Sequence, residues 1–492
     1  MLKVSEYINQ VTNMVAFGQS KSLPTSNTVT AMPDNNTSTF IGGAVDVKEV
    51  SMLTNSNEKI NLIGYFNNIT VEENIFSSAI NGKISMADTE GALEKFAIHG
   101  GETLQLKIVK PGTDNLIIWR QDLVVTKITR NDVTIGNFVA TYDIFFTSRS
   151  HINSMKKNLF KSYKQTTLAE AVYQIYREMS SNDVIIEDPK VTLNVPFIST
   201  GVPPHKTIDY LAQRACSKNK YFVFFERFVP VYGSFTDGNP FSTTHYFGSV
   251  EKLIADSETS GVQTIAFIPK TNANVESTRI RAGRYERLDN FNHVPGMMLG
   301  FYNTTVSAIN PITRNYNVNK LSYTDSDIET TDFYENKLFA STNIFNNYDD
   351  VKNETPGRKL IVSGMSDSIN RADWLNSHIY GSLSKTMFKI LVEIQGGTNT
   401  IGVGHVVNFV TPSAVSVLTN AQSSTPEIDA IYSGKYLVTS VVHSITGTTY
   451  TKSMQLSRGS SLFNFDKNTT FDATFDFLKQ ELRESLGNRR QT

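Results

Sequence analysis

Apolar and polar residues alternate with period two over three successive runs in residues 400–458, the spacing of strands buried on one face. Ile401, Val403, His405, Val407 and Phe409 share a face of the first run. Leu437, Thr439, Val441 and His443 share a face of the second, and Tyr450, Lys452, Met454 and Leu456 a face of the third. Thr446-Gly447-Thr448 predicts the turn that folds the second run onto the third. The three together predict a small antiparallel barrel or sandwich. Residues 40–150 carry the same period. Leu104, Leu106 and Ile108 alternate, as do Phe138, Ala140, Tyr142, Ile144 and Phe146. Asn131-Asp132 predicts a turn ahead of that long strand, and residues 87–96 a brief helical excursion.

The period changes in residues 151–260. Thr167 and Glu170 form a capping box. Behind it Leu168, Ala171, Val172, Ile175, Tyr176 and Met179 fall at helical spacing. Pro203-Pro204 opens a second helix with Ile208, Leu211, Ala212 and Ala215 on one face. Residues 221–225 are apolar on both faces and predict a buried strand. Residues 261–370 are harder to read. Short strand-like pieces such as 263–268 stand between polar loops, and 325–356 are acidic and Asn-rich.

The ends differ from the middle. Val4, Ile8, Val11 and Val15 fit one side of a short helix, followed by a Ser-, Thr-, Asn- and Pro-rich arm. Near the other end Phe471, Phe475, Leu478 and Leu482 step by four, three and four and form an apolar stripe. Asp472 lies in its first turn, Gly487 supplies a stop, and Arg489-Arg490 trail it, as a helix dipole favours. This helix either packs on its own chain or anchors a neighbouring subunit, and those four residues are the candidate partner-binding residues. The chain thus divides into a helix and arm (1–39), a first β barrel (40–150), a mixed α/β region (151–260), a connecting region (261–370), a second β barrel (371–465) and a terminal helix (466–492). The fold class is mainly β with α+β parts. A faint repeat links the barrels. Val125-Thr126-Lys127-Ile128 precedes a hairpin ending in Phe146-Thr147-Ser148-Arg149, and Val438-Thr439-Ser440-Val441 one ending in Leu456-Ser457-Arg458.

Composition narrows the function classes. The 492 residues carry 46 Lys plus Arg against 47 Asp plus Glu, so no global charge drives binding to nucleic acid or anionic membrane. No apolar window is long enough to predict a membrane span. Cys216 is the single cysteine, which excludes an intrachain disulfide and a thiolate metal cluster. It adjoins the apolar face of the second helix, which predicts a buried structural thiol rather than a nucleophile served by His205. The histidines are scattered. His405 and His443 could approach one another in the last barrel, but neither sits at ligand spacing. Glu72-Glu73 and Asp349-Asp350 read as solvated surface rather than paired catalytic carboxylates. No catalytic residue, cofactor or metal site is predicted. A cell-envelope hydrolase would need a nucleophile or carboxylate constellation. A carbohydrate-binding β protein would need exposed aromatic platforms.

Three segments carry a family resemblance. The first is Gly82-Lys83-Ile84-Ser85-Met86-Ala87-Asp88 with Gly101-Glu102-Thr103-Leu104. The second runs from Pro204 through Ile208-Asp209-Tyr210-Leu211-Ala212 to Tyr221-Phe222-Val223-Phe224-Phe225-Glu226. The third runs from Ile394-Gln395-Gly396-Gly397-Thr398 to Gly459, with Gly434-Lys435-Tyr436-Leu437-Val438-Thr439 at its heart. In content and order they resemble the baseplate central hub proteins of T-even-like contractile-tail phages, which are related to the N-terminal part of type VI secretion spike proteins. The resemblance implies two tube-type β barrels per chain and a homotrimeric pseudo-sixfold ring. Such a ring joins a sixfold tail tube to a threefold spike. It implies a tail tube protein, a tape-measure protein and baseplate wedge proteins as partners. It also implies DNA only in transit through the lumen, and a place in the virion after assembly in the bacterial host cytoplasm. No needle repeat follows the last barrel, so the trimeric spike is expected as a separate polypeptide.

Overall fold

The computed structural model describes residues 43–228, 244–267, 280–289, 303–322, 358–363, 388–395, 401–413 and 428–458, less short loops within these spans, and a few residues besides. Residues 1–42 and 471–492 lie outside the described residues, and so does Cys216. The N-terminal arm and the stripe of Phe471, Phe475, Leu478 and Leu482 therefore carry no structural account.

Seven strands build the first barrel. They are β1 (Asp46–Leu53), β2 (Lys59–Asn61), β3 (Phe66–Asn74), β4 (Asn81–Asp88), β5 (Thr103–Val109), β6 (Leu116–Val133) and β7 (Ala140–Ser148). They pair antiparallel in the order β3-β4-β7-β6-β5-β1-β2. The alternation read from the sequence sets the inner face: Leu104, Leu106, Ile108, Tyr142, Ile144 and Phe146 are all buried in one core. Asn131-Asp132 makes no turn. β6 runs through it, and a bulge absorbs the polar pair, with Arg130 opposite Tyr142 and Asp132 opposite Thr141. The helical excursion shrinks too, since Ala87 and Asp88 belong to β4.

The middle region follows as α1 (Arg149–Met155), β8 (Ser162–Tyr163), α2 (Leu168–Arg177), β9 (Val184–Ile186), β10 (Phe197–Ile198), α3 (Pro204–Ala215), β11 (Phe222–Arg227), β12 (Thr244–Ser249) and α4 (Val250–Ser260). The capping box is present. Thr167 Oγ1 accepts from the Glu170 amide at 3.2 Å and Glu170 accepts from the Thr167 amide at 3.1 Å. β11, β12 and β9 form one sheet, and every residue of β11 is buried, as its two-sided apolar pattern predicts. β8 and β10 pair separately as a two-stranded ribbon.

The second barrel opens with β13 (Gln263–Phe267) and β14 (Ile280–Asp289). A three-stranded sheet of β15 (Asn303–Ile309), β16 (Tyr316–Ser322) and β17 (Arg358–Ser363) follows. Then come β18 (Phe388–Gln395), β19 (Val406–Val410), β20 (Gly434–Thr446) and β21 (Thr449–Arg458). β19, β13, β14, β18, β21 and β20 close into a six-stranded ring, because β19 also pairs with β20. Two of its strands come from 261–370, where the sequence pattern suggested a connecting region. β13 runs parallel to both neighbours, so this barrel is not wholly antiparallel. Residues 401–405 precede the strand proper, which starts at Val406.

The barrels share a plan. The order β3-β4-β7-β6-β5 in the first matches β14-β18-β21-β20-β19 in the second, all antiparallel and in the same chain order. The repeat seen in the sequence is a repeated bulge. Val125 faces Phe146 and Lys127 faces Phe145, leaving Thr126 unpaired. Val438 faces Leu456 and Ser440 faces Gln455, leaving Thr439 unpaired. Each odd threonine donates its hydroxyl to the facing carbonyl, Thr126 to Phe145 and Thr439 to Gln455, at 3.2 Å in both. Each valine also bonds a glycine–polar pair ahead of the neighbouring strand. Gly101 and Glu102 serve Val125, and Gly404 and His405 serve Val438. Both glycines hold positive φ, +93° and +86°.

The two barrels are not merely adjacent. The β20–β21 hairpin overshoots its own ring and enters the first barrel. β20 pairs with β3 over Ser440–Thr446. The hairpin tip pairs with the segment ahead of β1, where the Val45 amide reaches Thr448 O at 2.8 Å and the Tyr450 amide reaches Gly43 O at 2.6 Å. Ile445 and Tyr450 of the hairpin are buried in the first barrel's core. The first barrel is therefore closed by strands of the second.

Candidate functional site: the buried junction between the barrels

Where the hairpin crosses from one barrel to the other, the inward face carries His443 and Lys452 among apolar neighbours. A charge on a buried face needs a partner. β3 supplies it. Glu73 is fully buried, and its Oε1 lies 2.9 Å from His443 Nε2. Its Oε2 accepts from the Phe228 amide at 2.7 Å, at the end of the β11 segment. Tyr450 Oη lies 2.7 Å from His443 Nδ1. An ionised Glu73 can only accept, so His443 Nε2 carries a proton; with burial keeping the imidazole neutral, Nδ1 accepts from Tyr450. Lys452 Nζ donates to the Ile401 carbonyl. Ser440 Oγ donates to the Glu73 carbonyl at 3.1 Å.

A second charged cluster lies beside the first. Glu226 of β11 is buried and accepts from both terminal nitrogens of Arg120 of β6 at 3.3 Å. It also takes the Ile80 amide at 3.1 Å, and His245 Nε2 stands 3.9 Å away. His245 Nδ1 in turn meets Tyr176 Oη of α2 at 3.0 Å. Phe228 bridges the clusters, its ring 5.6 Å from the Arg120 guanidinium and edge-on to His443. Three bodies thus meet through a chain of ionic and polar contacts: the first barrel, the hairpin of the second, and the middle sheet.

Burial pushes the Glu73 carboxyl up, but the His443 contact and the Phe228 amide outweigh it and hold it below its ordinary value. Glu226 is held down likewise, burial being overcome by His245, Arg120 and hydrogen bonds. Burial pushes both His443 and His245 down. Burial also brings Lys452 down to about 8, with Glu73 opposing.

Glu73–His443–Tyr450 has the order of a carboxylate–imidazole–hydroxyl relay. It is closed to substrate, because these side chains are 0%, 1% and 1% exposed. What it can do is fix the angle between the barrels. In the sequence Glu72-Glu73 looks like a solvated surface pair. Only Glu72 is exposed, since adjacent strand residues point to opposite faces. His443 and Lys452 on apolar faces were the legible signal that a buried acid was required. His405 and His443 do not form a pair. His405 Nδ1 accepts from the Gly402 amide at 3.3 Å, and His443 is engaged with Glu73. A third polar site lies under α3, where His205 Nδ1 meets Ser154 Oγ at 2.7 Å and the His205 ring packs on that of His151. Among the described residues no group of three His, Cys, Asp or Glu side chains could hold a metal, and no helix is long and apolar enough to cross a membrane.

No family model and no curated protein matches the chain. Its structural neighbours are phage tail proteins and type VI secretion proteins. A tail protein from Neisseria meningitidis MC58 is 9% identical with a TM-score of 0.46, covering 83% of this chain and 96% of its own. A 43 kDa tail protein of prophage MuSo2 from Shewanella oneidensis is 9% identical with a TM-score of 0.48, covering 84% and 98%. The E. coli c3393 protein, a component of the type VI secretion system, is 10% identical with a TM-score of 0.39, covering 85% and 77%.

Proposed function

We propose that the chain is a structural hub of a contractile tail baseplate, without catalytic function. Three copies would set their six barrels in a pseudo-sixfold ring, seat a separate trimeric spike on one side and the tail tube on the other, and leave a lumen for DNA and the tape-measure protein. The observation that carries this is the duplicated barrel pair. Two β units with one strand order and one bulge are locked together by a shared hairpin and a buried ionic junction. A rigid tandem of like units is what a threefold assembly needs to meet a sixfold one. The terminal stripe of Phe471, Phe475, Leu478 and Leu482 would dock on another subunit. The balanced charge fits a lumen that lets DNA slide rather than stick. Light scattering and electron microscopy of the purified chain, alone and with its spike, test the assembly. A trimeric ring is expected. A monomer or dimer under both conditions overturns the proposal.

A further inference from the structure

The β8–β10 ribbon carries an exposed apolar face that the barrels do not explain. Phe197 pairs with Tyr163 and Ile198 with Ser162, so Phe197 and Tyr163 point inward and are buried. The other face carries Phe160, Ser162, Ile198 and Thr200, and all four are exposed. Phe160 is 80% exposed and Ile198 60%. Phe160 is nevertheless seated. Its ring lies over Gly201, whose φ is +77° and where any Cβ would come within 2.5 Å of the ring. Exposed Lys156, Lys157 and Lys161 flank it. Lys157 makes one surface pair with Glu178 at 3.4 Å, and Lys161 lies over Tyr163. Such exposed contacts are weak and exchange easily. The face is an apolar step with a basic rim, and it fits an acidic, aromatic segment.

The chain contains one. Residues 471–478 hold Phe471, Phe475, Phe477 and Leu478 with Asp472 and Asp476 and no basic residue. The leash is short. Phe463 pairs with Thr470, which cancels the chain length between them. Arg458 and Phe471 are then joined by about six extended steps, roughly 20 Å. The tail thus leaves from the end of the second barrel, whereas the ribbon springs from the first barrel through α1. Both features on one chain are the two halves of a head-to-tail contact, the kind that closes a ring.

We propose that the outward face of the β8–β10 ribbon receives residues 471–478 of a second copy of this chain. This rests on the hub assembly proposed above and names its contact. The test uses the full-length chain and sedimentation against concentration. Phe160→Asp and Leu478→Asp should each weaken self-association at least tenfold. An equimolar mixture of the two should regain one contact, the tail of the Phe160→Asp chain on the ribbon of the Leu478→Asp chain, and should form a heterodimer but no ring. The charge reversal of Lys156, Lys157 and Lys161 to Glu should weaken association and be rescued by Asp472→Lys with Asp476→Lys. Ile198→Asp replaces Phe160→Asp if the latter fails to fold. A trimer indifferent to these changes, or variants that lower the melting temperature without changing association, would show that the tail binds elsewhere or in its own copy. Either result overturns the inference while leaving the hub standing. A wild-type chain that stays monomeric at every concentration overturns both.

Discussion

Glu73→Gln tests the junction directly. The substitution keeps the shape of the side chain. It removes the charge that faces His443 and lowers the cost of burying Lys452. It also breaks the hydrogen bonding, because Glu73 accepts on both oxygens, from His443 on one and from Phe228 on the other. A glutamine offers one acceptor and one amino group, so unless the imidazole shifts its proton to Nδ1 and Tyr450 turns to accept it, one of the two donors meets another donor. Leaving a buried donor unsatisfied costs about 1–3 kcal/mol. Removing Glu73 also leaves the buried Lys452 charge uncompensated, and breaking a buried charge pair in this way costs about 3–5 kcal/mol. The two overlap, and we expect about 3–5 kcal/mol in all at pH 7, read from the denaturant midpoint at unchanged slope. The pH dependence supplies the control. Glu73 is depressed when folded, so its contribution is present above the unfolded carboxyl value, about 4.3, and is lost as pH falls through the folded value. The gap between wild type and variant should be full at pH 7 and should close on acidification below that point. A loss under about 1 kcal/mol at pH 7, or a gap that does not narrow in acid, would refute the junction as an ionic lock.

Three further outcomes follow from other contacts. Lys452 is lowered to about 8 when folded, so the wild type should gain stability as pH rises from about 8 towards the unfolded value near 10.4, by about 3 kcal/mol, and Lys452→Met should abolish that rise in pH-dependent denaturation. Gly101→Ala and Gly404→Ala force Cβ into positive φ at the repeated bulge and should each cost about 1–3 kcal/mol, with Gly404 the costlier because its Cβ would press on Leu253 at 3.3 Å; equal and negligible effects in thermal melts would count against the shared geometry. Thr167→Ala removes the cap of α2 and should cost about 1 kcal/mol by the same measurement.

Local pattern determined much of this molecule. Period-two alternation placed β5, β7 and β21 and named their inward residues, because a strand buried on one face has only one way to hide them. The capping box and apolar stripe placed α2, since both are encoded within a few residues. The paired Val-Thr sequences marked a faint repeat, and only the strand pairing shows it to be a repeated bulge. Tertiary structure decided the rest. Nothing local told Asn131-Asp132 to continue as strand, because a bulge forms only where a partner strand runs past. The ring's use of β13 and β14 depends on pairings made across more than a hundred residues. Glu73 looked like a surface acid beside Glu72 until β20 and β21 brought His443 and Tyr450 across some 370 residues of chain to meet it. The entry of one barrel's hairpin into the other has the same cause. Strand length is local, but whether the extra residues meet solvent or a neighbouring barrel is settled only when the two cores close together.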